Sequence, residues 1–176
     1  MKMRAKYLGT AIVFLWVSAL CRAQQVPVTH ARALDKSAVT LPQSKQGKPL
    51  ILLISFSHKG EKECDRWNQR LKPAYMHESK VDYYELADFE GVPSFVMSFI
   101  LHGMRREIPR DEHSHFVPFY SGEAEWKKLV AYSSPEDAYL VVADAAGHVL
   151  WQGHGPLSDS KYSELQAVVT KQVSKP

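Results

Sequence analysis

Cys64 is the residue of this chain best suited to covalent chemistry. A thiolate attacks disulfides and peroxides, and His58 lies close enough in sequence to serve as its base. The negative charges of Glu61 and Glu63 raise the pKa of a neighbouring thiol, whereas Lys62 acts in the opposite direction. Cys64 also falls on an apolar helical stripe, so it is either a candidate catalytic thiol paired with His58 or a small buried side chain.

The only other cysteine, Cys21, lies in a segment with the three zones of a secretory signal peptide. A basic start precedes an uncharged apolar run over residues 7–20, and Ala23 ends a cleavage-type sequence. We expect residues 1–23 to be removed, which leaves Cys64 as the only thiol and excludes dithiol oxidoreductase activity in the mature monomer. An uncleaved membrane anchor is the alternative. A lipoprotein acylated on Cys21 is disfavoured by the bulky Leu20.

Removal of residues 1–23 also changes the charge balance. It takes four of the 22 basic residues and none of the 19 acidic ones, so the mature charge is −1. A net charge this close to zero gives no excess of positive charge that would indicate binding to nucleic acid or anionic lipid. Membrane association is expected only through an uncleaved N-terminal segment. The mature protein is predicted to be exported, to the periplasm or the extracellular space.

Histidines and arginines supply two further groups of candidate residues. His113 and His115 point to the same side of an extended chain, but no cysteine or carboxylate pattern completes a metal site, so neither a metal nor another cofactor is predicted. A basic cluster beside an Ile–Pro step, together with a hairpin tryptophan, is the candidate docking surface for a protein partner. These partner-binding candidates are Arg105, Arg106, Ile108, Pro109, Arg110 and Trp151.

The elements that position these residues alternate between β and α patterns. Leu50 to Phe56 is a continuous apolar run, typical of a strand buried on both faces. An amphipathic helix follows from Gly60 and ends or kinks near Pro73. Residues 81–87 form the next strand. The preceding residues 24–47 carry no regular period and are predicted to be a polar tether to a single folded domain at 48–176.

The second half of the domain is predicted to contain a helix, then an inserted strand and helix, and finally a hairpin and a closing helix. Pro93 suits the first turn of the first of these helices, and Val96, Phe99, Ile100 and Met104 give that helix an apolar face, which is expected to pack on the core. The inserted strand at 115–120 has Pro118 at an edge or bulge. The hairpin strands at 138–143 and 148–153 are joined by a tight turn, and Ser158 or Asp159 caps the last helix.

This order resembles the thioredoxin fold over residues 48–173. Phe56 corresponds to the aromatic residue that ends the first core strand, and the two positions of the Cys-x-x-Cys motif then fall on Glu61 and Cys64. The attacking thiol is thus replaced by a carboxylate. Thioredoxin-like proteins usually also keep a cis-proline before the hairpin, for which Pro135 and Pro118 are the candidates, although base rates favour trans at both.

Two stretches resemble motifs of the mitochondrial ATP-synthase assembly factors. They are residues 104–109 (Met-Arg-Arg-Glu-Ile-Pro) and residues 139–155, in which Asp144, Gly147 and Gly153 form the turn and fold motif. Leu150 departs from the arginine usual in that family. The resemblance implies a thioredoxin-like fold without a required redox pair, and a role in assembling a membrane complex.

The sequence therefore predicts an exported thioredoxin-like α/β protein with a mixed central sheet flanked by helices. The predicted function is that of a non-catalytic assembly or chaperone-type factor, for which a membrane-complex subunit is a candidate partner. The alternative is a single-cysteine thiol reductase or peroxidase that uses Cys64 with an external thiol.

Overall fold

The computed structural model describes residues 24–42 and 47–174, and it contains both β-strands and α-helices. The strands of this part of the chain are β1 (Thr29–Arg32), β2 (Ala38–Leu41), β3 (Leu50–Ser55), β4 (Asp82–Asp88), β5 (Phe116–Phe119), β6 (Tyr139–Ala143) and β7 (Val149–His154). The helices are α1 (His58–Leu71), α2 (Ser94–Glu107), α3 (Glu123–Leu129) and α4 (Asp159–Val173), with a π-helical turn at Lys72–Met76 and a 3-10 turn at Arg110–Glu112. The predicted signal peptide at 1–23 lies outside the described residues.

Five strands form one mixed sheet in the order β5-β4-β3-β6-β7. The central strand β3 runs parallel to β4 and antiparallel to β6, and all six of its residues are buried. Because both faces of this strand are covered by other parts of the chain, its sequence is continuously apolar up to Ser55. Pro118 lies in the edge strand β5, where its missing N–H removes no hydrogen bond that the sheet needs. The predicted mixed sheet flanked by helices is confirmed.

Helices α1 and α4 cover one face of the sheet. Trp67 of α1 and Leu165 of α4 are fully buried there, and the indole N–H of Trp67 donates to the carbonyl of Gly155 at 3.0 Å. Removal of a buried tryptophan side chain of this kind costs about 3–5 kcal/mol. Packing against the sheet therefore fixes the orientation of α1, and with it the position of every residue at its N-terminus.

The opposite face is covered by α3 and by a hairpin of β1 and β2. Trp126 of α3 is fully buried and donates to the hydroxyl of Thr29 at 3.2 Å, so the helix and the hairpin are joined to each other. Val26, Leu34 and Leu41 of the hairpin segment are buried as well.

The prediction of a polar tether was therefore wrong for residues 24–42. The hairpin has only four residues in each strand, and polar residues alternate with the few that it buries, which leaves too short a pattern to recognise. Residues 43–46 of the predicted tether lie outside the described part of the chain.

Helix α2 connects β4 to the parallel edge strand β5 and packs on a third apolar cluster through Met97, Ile100 and Leu101. Phe99, predicted to face the core, is 80% exposed, as is Phe95 one turn before it. The first two turns of α2 are apolar on several sides, so periodicity does not distinguish the packed face from the outer one.

Helix boundaries follow local signals. Ser57 and Ser158 cap α1 and α4, each accepting a hydrogen bond from a first-turn N–H. Regular α-helical structure in α1 ends at Leu71, two residues before Pro73, as predicted. No helix in the described residues combines the length and apolarity needed to cross a bilayer.

Candidate functional site at the carboxyl end of the central strand

The candidate site begins where β3 passes into α1. Ser57 has extended backbone angles, and its hydroxyl accepts from the N–H of Gly60 at 3.1 Å. The same hydroxyl donates to the carbonyl of Pro135, which lies in the loop before β6. One side chain thus starts the helix and ties the helix to that loop.

Cys64 lies in the second turn of α1 and faces the sheet. Its exposed fraction is 0%, and it packs in the apolar cluster of Ile51, Leu53 and Trp67. Burial raises the pKa of the Cys64 thiol well above its ordinary value, and the negative charge of Glu85 adds to the effect. The thiol is therefore protonated at neutral pH and closed to solvent, as expected of a structural cysteine.

A buried polar network lies behind the thiol. The amide of Asn68 donates to Glu85 at 2.7 Å, and the hydroxyl of Tyr83 donates to Asn68. Burial raises the pKa of Glu85, whereas Lys72, 3.8 Å from its carboxylate, lowers it. A negative charge on Glu85 would oppose a thiolate on Cys64, so the network disfavours thiol chemistry.

His58 does not meet the requirements for a base acting on Cys64. Its side chain is 85% exposed at the start of α1, and its Nδ1 lies 2.8 Å from a carboxylate oxygen of Glu61. Cys64 is buried on the sheet side of the same helix. The two sequence candidates are thus held in different environments, and Glu61 occupies the outer position of the expected motif.

The loop before β6 packs closely against the first turn of α1. A Cβ atom on Gly60 would lie 3.0 Å from the carbonyl oxygen of Asp137 and 3.2 Å from that of Pro135. The hydroxyl of Tyr139 anchors this loop, because it accepts from the N–H groups of Ser133 and Ser134 at 2.9 Å each. The peptide bonds before Pro135 and Pro118 are trans, as base rates favoured.

Polar side-chain contacts continue on the surface around this loop. Lys59 donates to Glu136 at 2.6 Å, and Nδ1 of His154 lies 2.8 Å from Asp137. Beside them is an open cleft of about 420 Å³ whose lining includes Lys62 and Arg66. The charged side chains that line it are of both signs.

A carboxyl pair lies at the end of β4. Burial raises the pKa of Asp88 to about 6, and the neighbouring charges of Glu123 and Glu90 act in the same direction. The pKa of Glu123 is lowered, chiefly by its hydrogen bond from Lys127 and also by one from Asp88. When the pair takes up a proton, as the pH falls through about 6, that proton therefore resides on Asp88.

The structure brings together only some of the predicted partner-binding residues. Arg106, Pro109 and Arg110 are exposed at the end of α2, whereas Ile108 packs on the third apolar cluster. Arg105 donates through Nε to the carbonyl of Leu34 at 2.8 Å.

Trp151 does not join that group. It lies on β7, at the opposite edge of the sheet from β5. Its ring packs on the α1–α4 side, and its indole N–H donates to Glu164 at 3.3 Å.

The two histidines next to β5 are engaged with the backbone. Nε2 of the buried His113 lies 2.9 Å from the carbonyl of Ile108, and Nδ1 of His115 lies 2.9 Å from that of Tyr83. Among the described residues, His, Cys, Asp and Glu side chains form no group of three that could hold a metal ion.

The turn motif of the β6–β7 hairpin has a structural explanation. Asp144 accepts from the N–H groups of Ala146 and His148 at 2.9 Å each, and Gly147 has a φ of +87°. A Cβ atom on Gly153 would lie 2.6 Å from the ring of Trp151. These residues therefore shape the hairpin rather than a reaction centre.

Comparisons with known proteins identify the fold. No model of a known protein family matches the chain, and no curated protein sequence does. Solved structures do match. A thioredoxin-like protein from Aeropyrum pernix has a TM-score of 0.54 at 13% identity, with 82% of this chain and 89% of that one covered.

Two further matching structures are of proteins whose names describe thiol–disulfide chemistry or thioredoxin. A thioredoxin-family thiol:disulfide interchange protein from Chlorobium tepidum TLS has a TM-score of 0.53 at 14% identity, covering 87% of this chain and 98% of that one. An exposed lipoprotein thioredoxin from Streptococcus pneumoniae has a TM-score of 0.50 at 11% identity, covering 81% and 98%. The chain therefore has the thioredoxin-like fold.

Proposed function

We propose that this chain is an exported protein that uses a thioredoxin-like fold to bind a protein partner, without redox catalysis. The observation that carries the proposal is the complete burial of Cys64 together with the carboxylate of Glu61 at the outer motif position. Thiol–disulfide exchange requires an accessible thiolate, and burial raises the pKa of this thiol well above its ordinary value. Export is supported by the signal-peptide pattern of residues 1–23.

The outer face of α2 is the proposed docking surface. Phe95, Phe99 and Arg106 are spaced four and seven residues apart, so they lie on one side of the helix, and all three are exposed. Aromatic residues and arginine dominate the binding energy of many protein interfaces. Arg106 and Arg110 form no salt bridge within residues 24–42 and 47–174. A partner with an apolar patch bordered by acidic residues fits this surface.

The resemblance to the ATP-synthase assembly factors gives the proposal a more specific form, in which the partner is a subunit of a membrane complex. This form rests on the motifs at 104–109 and 139–155 alone. The first motif contains Arg106, which is also part of the proposed docking surface.

Complementation of a deletion strain tests the proposal. Phe99→Ser combined with Arg106→Glu should abolish complementation, because it removes an apolar anchor and reverses a charge. Lys171→Glu on α4 is the matched control and should complement. Cys64→Ala should complement as well, with circular dichroism confirming that each variant is folded.

The fold likeness to proteins named for thiol:disulfide interchange favours one competing function, a single-cysteine thiol reductase or peroxidase. In that function Cys64 attacks a disulfide or peroxide and an external thiol releases the product. A folded Cys64→Ala protein with the full deletion phenotype would establish this competing function and reject the proposed one.

A further inference from the structure

An open cleft of about 500 Å³ lies between the β1–β2 hairpin and α2. Leu101 of α2 forms an apolar wall of the cleft. Pro118 of β5 and Tyr120, which directly follows β5, also line it. A cleft of this volume is large enough for a small organic ligand. It shares no lining residue with the surface around Ser57 or with the exposed stripe of Phe95, Phe99 and Arg106.

The charged side chains that line this cleft are all cationic. Arg32, Lys36 and Arg105 line it together with His30, and no aspartate or glutamate is among its lining residues. Within the described chain, none of the three cationic side chains is in a salt bridge. The cleft therefore combines an apolar wall with cations that lack a carboxylate partner.

Arg105 is held in place at the cleft. Its Nε donates to the carbonyl of Leu34 at 2.8 Å, which fixes the guanidinium group on the hairpin. Burial raises the pKa of Tyr120, whereas the positive charge of Arg105 lowers it, so the guanidinium lies close enough to act on that phenol. A guanidinium group fixed through Nε has its terminal nitrogens available for a planar carboxylate.

Lys36 has an unusual backbone conformation for a lysine. Its φ of +72° lies in the left-handed region, which glycine adopts without steric cost. The turn itself is closed by the bond from the backbone N–H of Lys36 to the carbonyl of Ala33 at 2.9 Å, which any residue except proline can make. The lysine side chain therefore places a charge at the cleft that the turn does not require.

We propose that this cleft binds a small amphipathic carboxylate. The carboxylate group contacts Arg105, Lys36 and Arg32, and the apolar body lies over Leu101 and Pro118. This inference is independent of the proposed partner surface. It concerns a small ligand rather than a protein, and it holds whether or not α2 docks a partner.

Titration of the ¹⁵N-labelled protein tests it, with decanoate as the probe below its micelle concentration. Decanoate should shift the amide signals of the hairpin turn and of α2 around Leu101 and Arg105. Decanol and decyltrimethylammonium have the same tail with no charge or the opposite charge, and each should bind at least tenfold more weakly. Equal binding of decanoate and decanol, or decanoate shifts confined to other surfaces, would overturn the assignment.

Three variants localise the carboxylate. Arg105→Gln should weaken decanoate binding about tenfold, and Lys36→Gly about threefold to tenfold, with the fold retained because glycine suits the positive φ. Lys171→Gln on α4 is the charge-matched control and should leave the affinity unchanged. If Lys36→Gly and Lys171→Gln behave alike, or if an apolar peptide with a free C-terminus binds the cleft tenfold more tightly than decanoate, a small carboxylate is not its ligand.

Discussion

Replacement of Asp88 by Asn should stabilise the protein at pH 8 and leave its stability unchanged at pH 4. Asp88 accepts a hydrogen bond from the N–H of Glu90 at 2.9 Å, and when it is protonated it can donate to the carboxylate of Glu123. An asparagine side chain reproduces the neutral carboxyl group, because its oxygen accepts the first bond and its amide donates to Glu123. The variant therefore imitates the protonated state of Asp88 at every pH.

The direction of this stability change follows from the pKa of Asp88, which rises from 3.8 to about 6 on folding. A carboxyl group with a raised pKa in the folded state supports folding fully below about pH 4, and it loses that support as the pH rises through about 6. A pKa difference of about two corresponds to about 3 kcal/mol in the free energy of unfolding. Asp88 is half-buried, so solvent screening reduces the expected gain for Asp88→Asn at pH 8 to about 1–1.5 kcal/mol.

Urea unfolding at pH 4, 6 and 8 measures this difference. Effects of pH on other groups cancel between the two proteins when those groups do not contact Asp88. Asp111→Asn, an exposed position after α2, is the control and should show no trend with pH. Parallel stability profiles for wild type and Asp88→Asn would refute the raised pKa of Asp88.

The remaining predictions concern the contact between α1 and the loop before β6, and are checked by urea unfolding at pH 7. Ser57→Ala removes the N-cap and the bond to Pro135, and should cost about 1–2 kcal/mol. Gly60→Ala should cost about 1–3 kcal/mol, because its Cβ would meet two carbonyl oxygens at 3.0 and 3.2 Å. A Cβ atom on Gly103 of α2 would meet no atom within 4 Å, so Gly103→Ala should instead stabilise the protein by about 0.5–1 kcal/mol. Similar effects of the two glycine replacements would show that the loop does not restrict position 60.

Much of the fold was predictable because its strongest signals are local. The apolar run of β3 and the stripe that contains Cys64 need only a few neighbouring residues to be recognised. The cap at Ser158 and the turn between Asp144 and Gly147 are likewise set within four or five residues. These local features fix the central sheet and one of its covering layers.

Features that depend on long-range contacts were missed. The pairing of Asp88 with Glu123 joins residues 35 positions apart in sequence, and the tie between Ser57 and Pro135 spans 78. One signal for the first contact was present in the sequence. Asp88 directly follows a predicted strand and Glu123 begins a predicted helix, and strand ends and the following helix starts meet at one edge of a parallel sheet. Phe99 was misplaced because α2 is apolar on more than one side.

The alkylation rate of Cys64 tests the central claim most directly. Iodoacetamide labelling of the purified mature protein near neutral pH should be at least about a thousandfold slower in the native state than in denaturant, because labelling requires the helix to open. Mild peroxide should give no sulfenate on Cys64. Fast labelling of the native protein, or a sulfenate that an external thiol reduces, would contradict a buried, non-catalytic thiol.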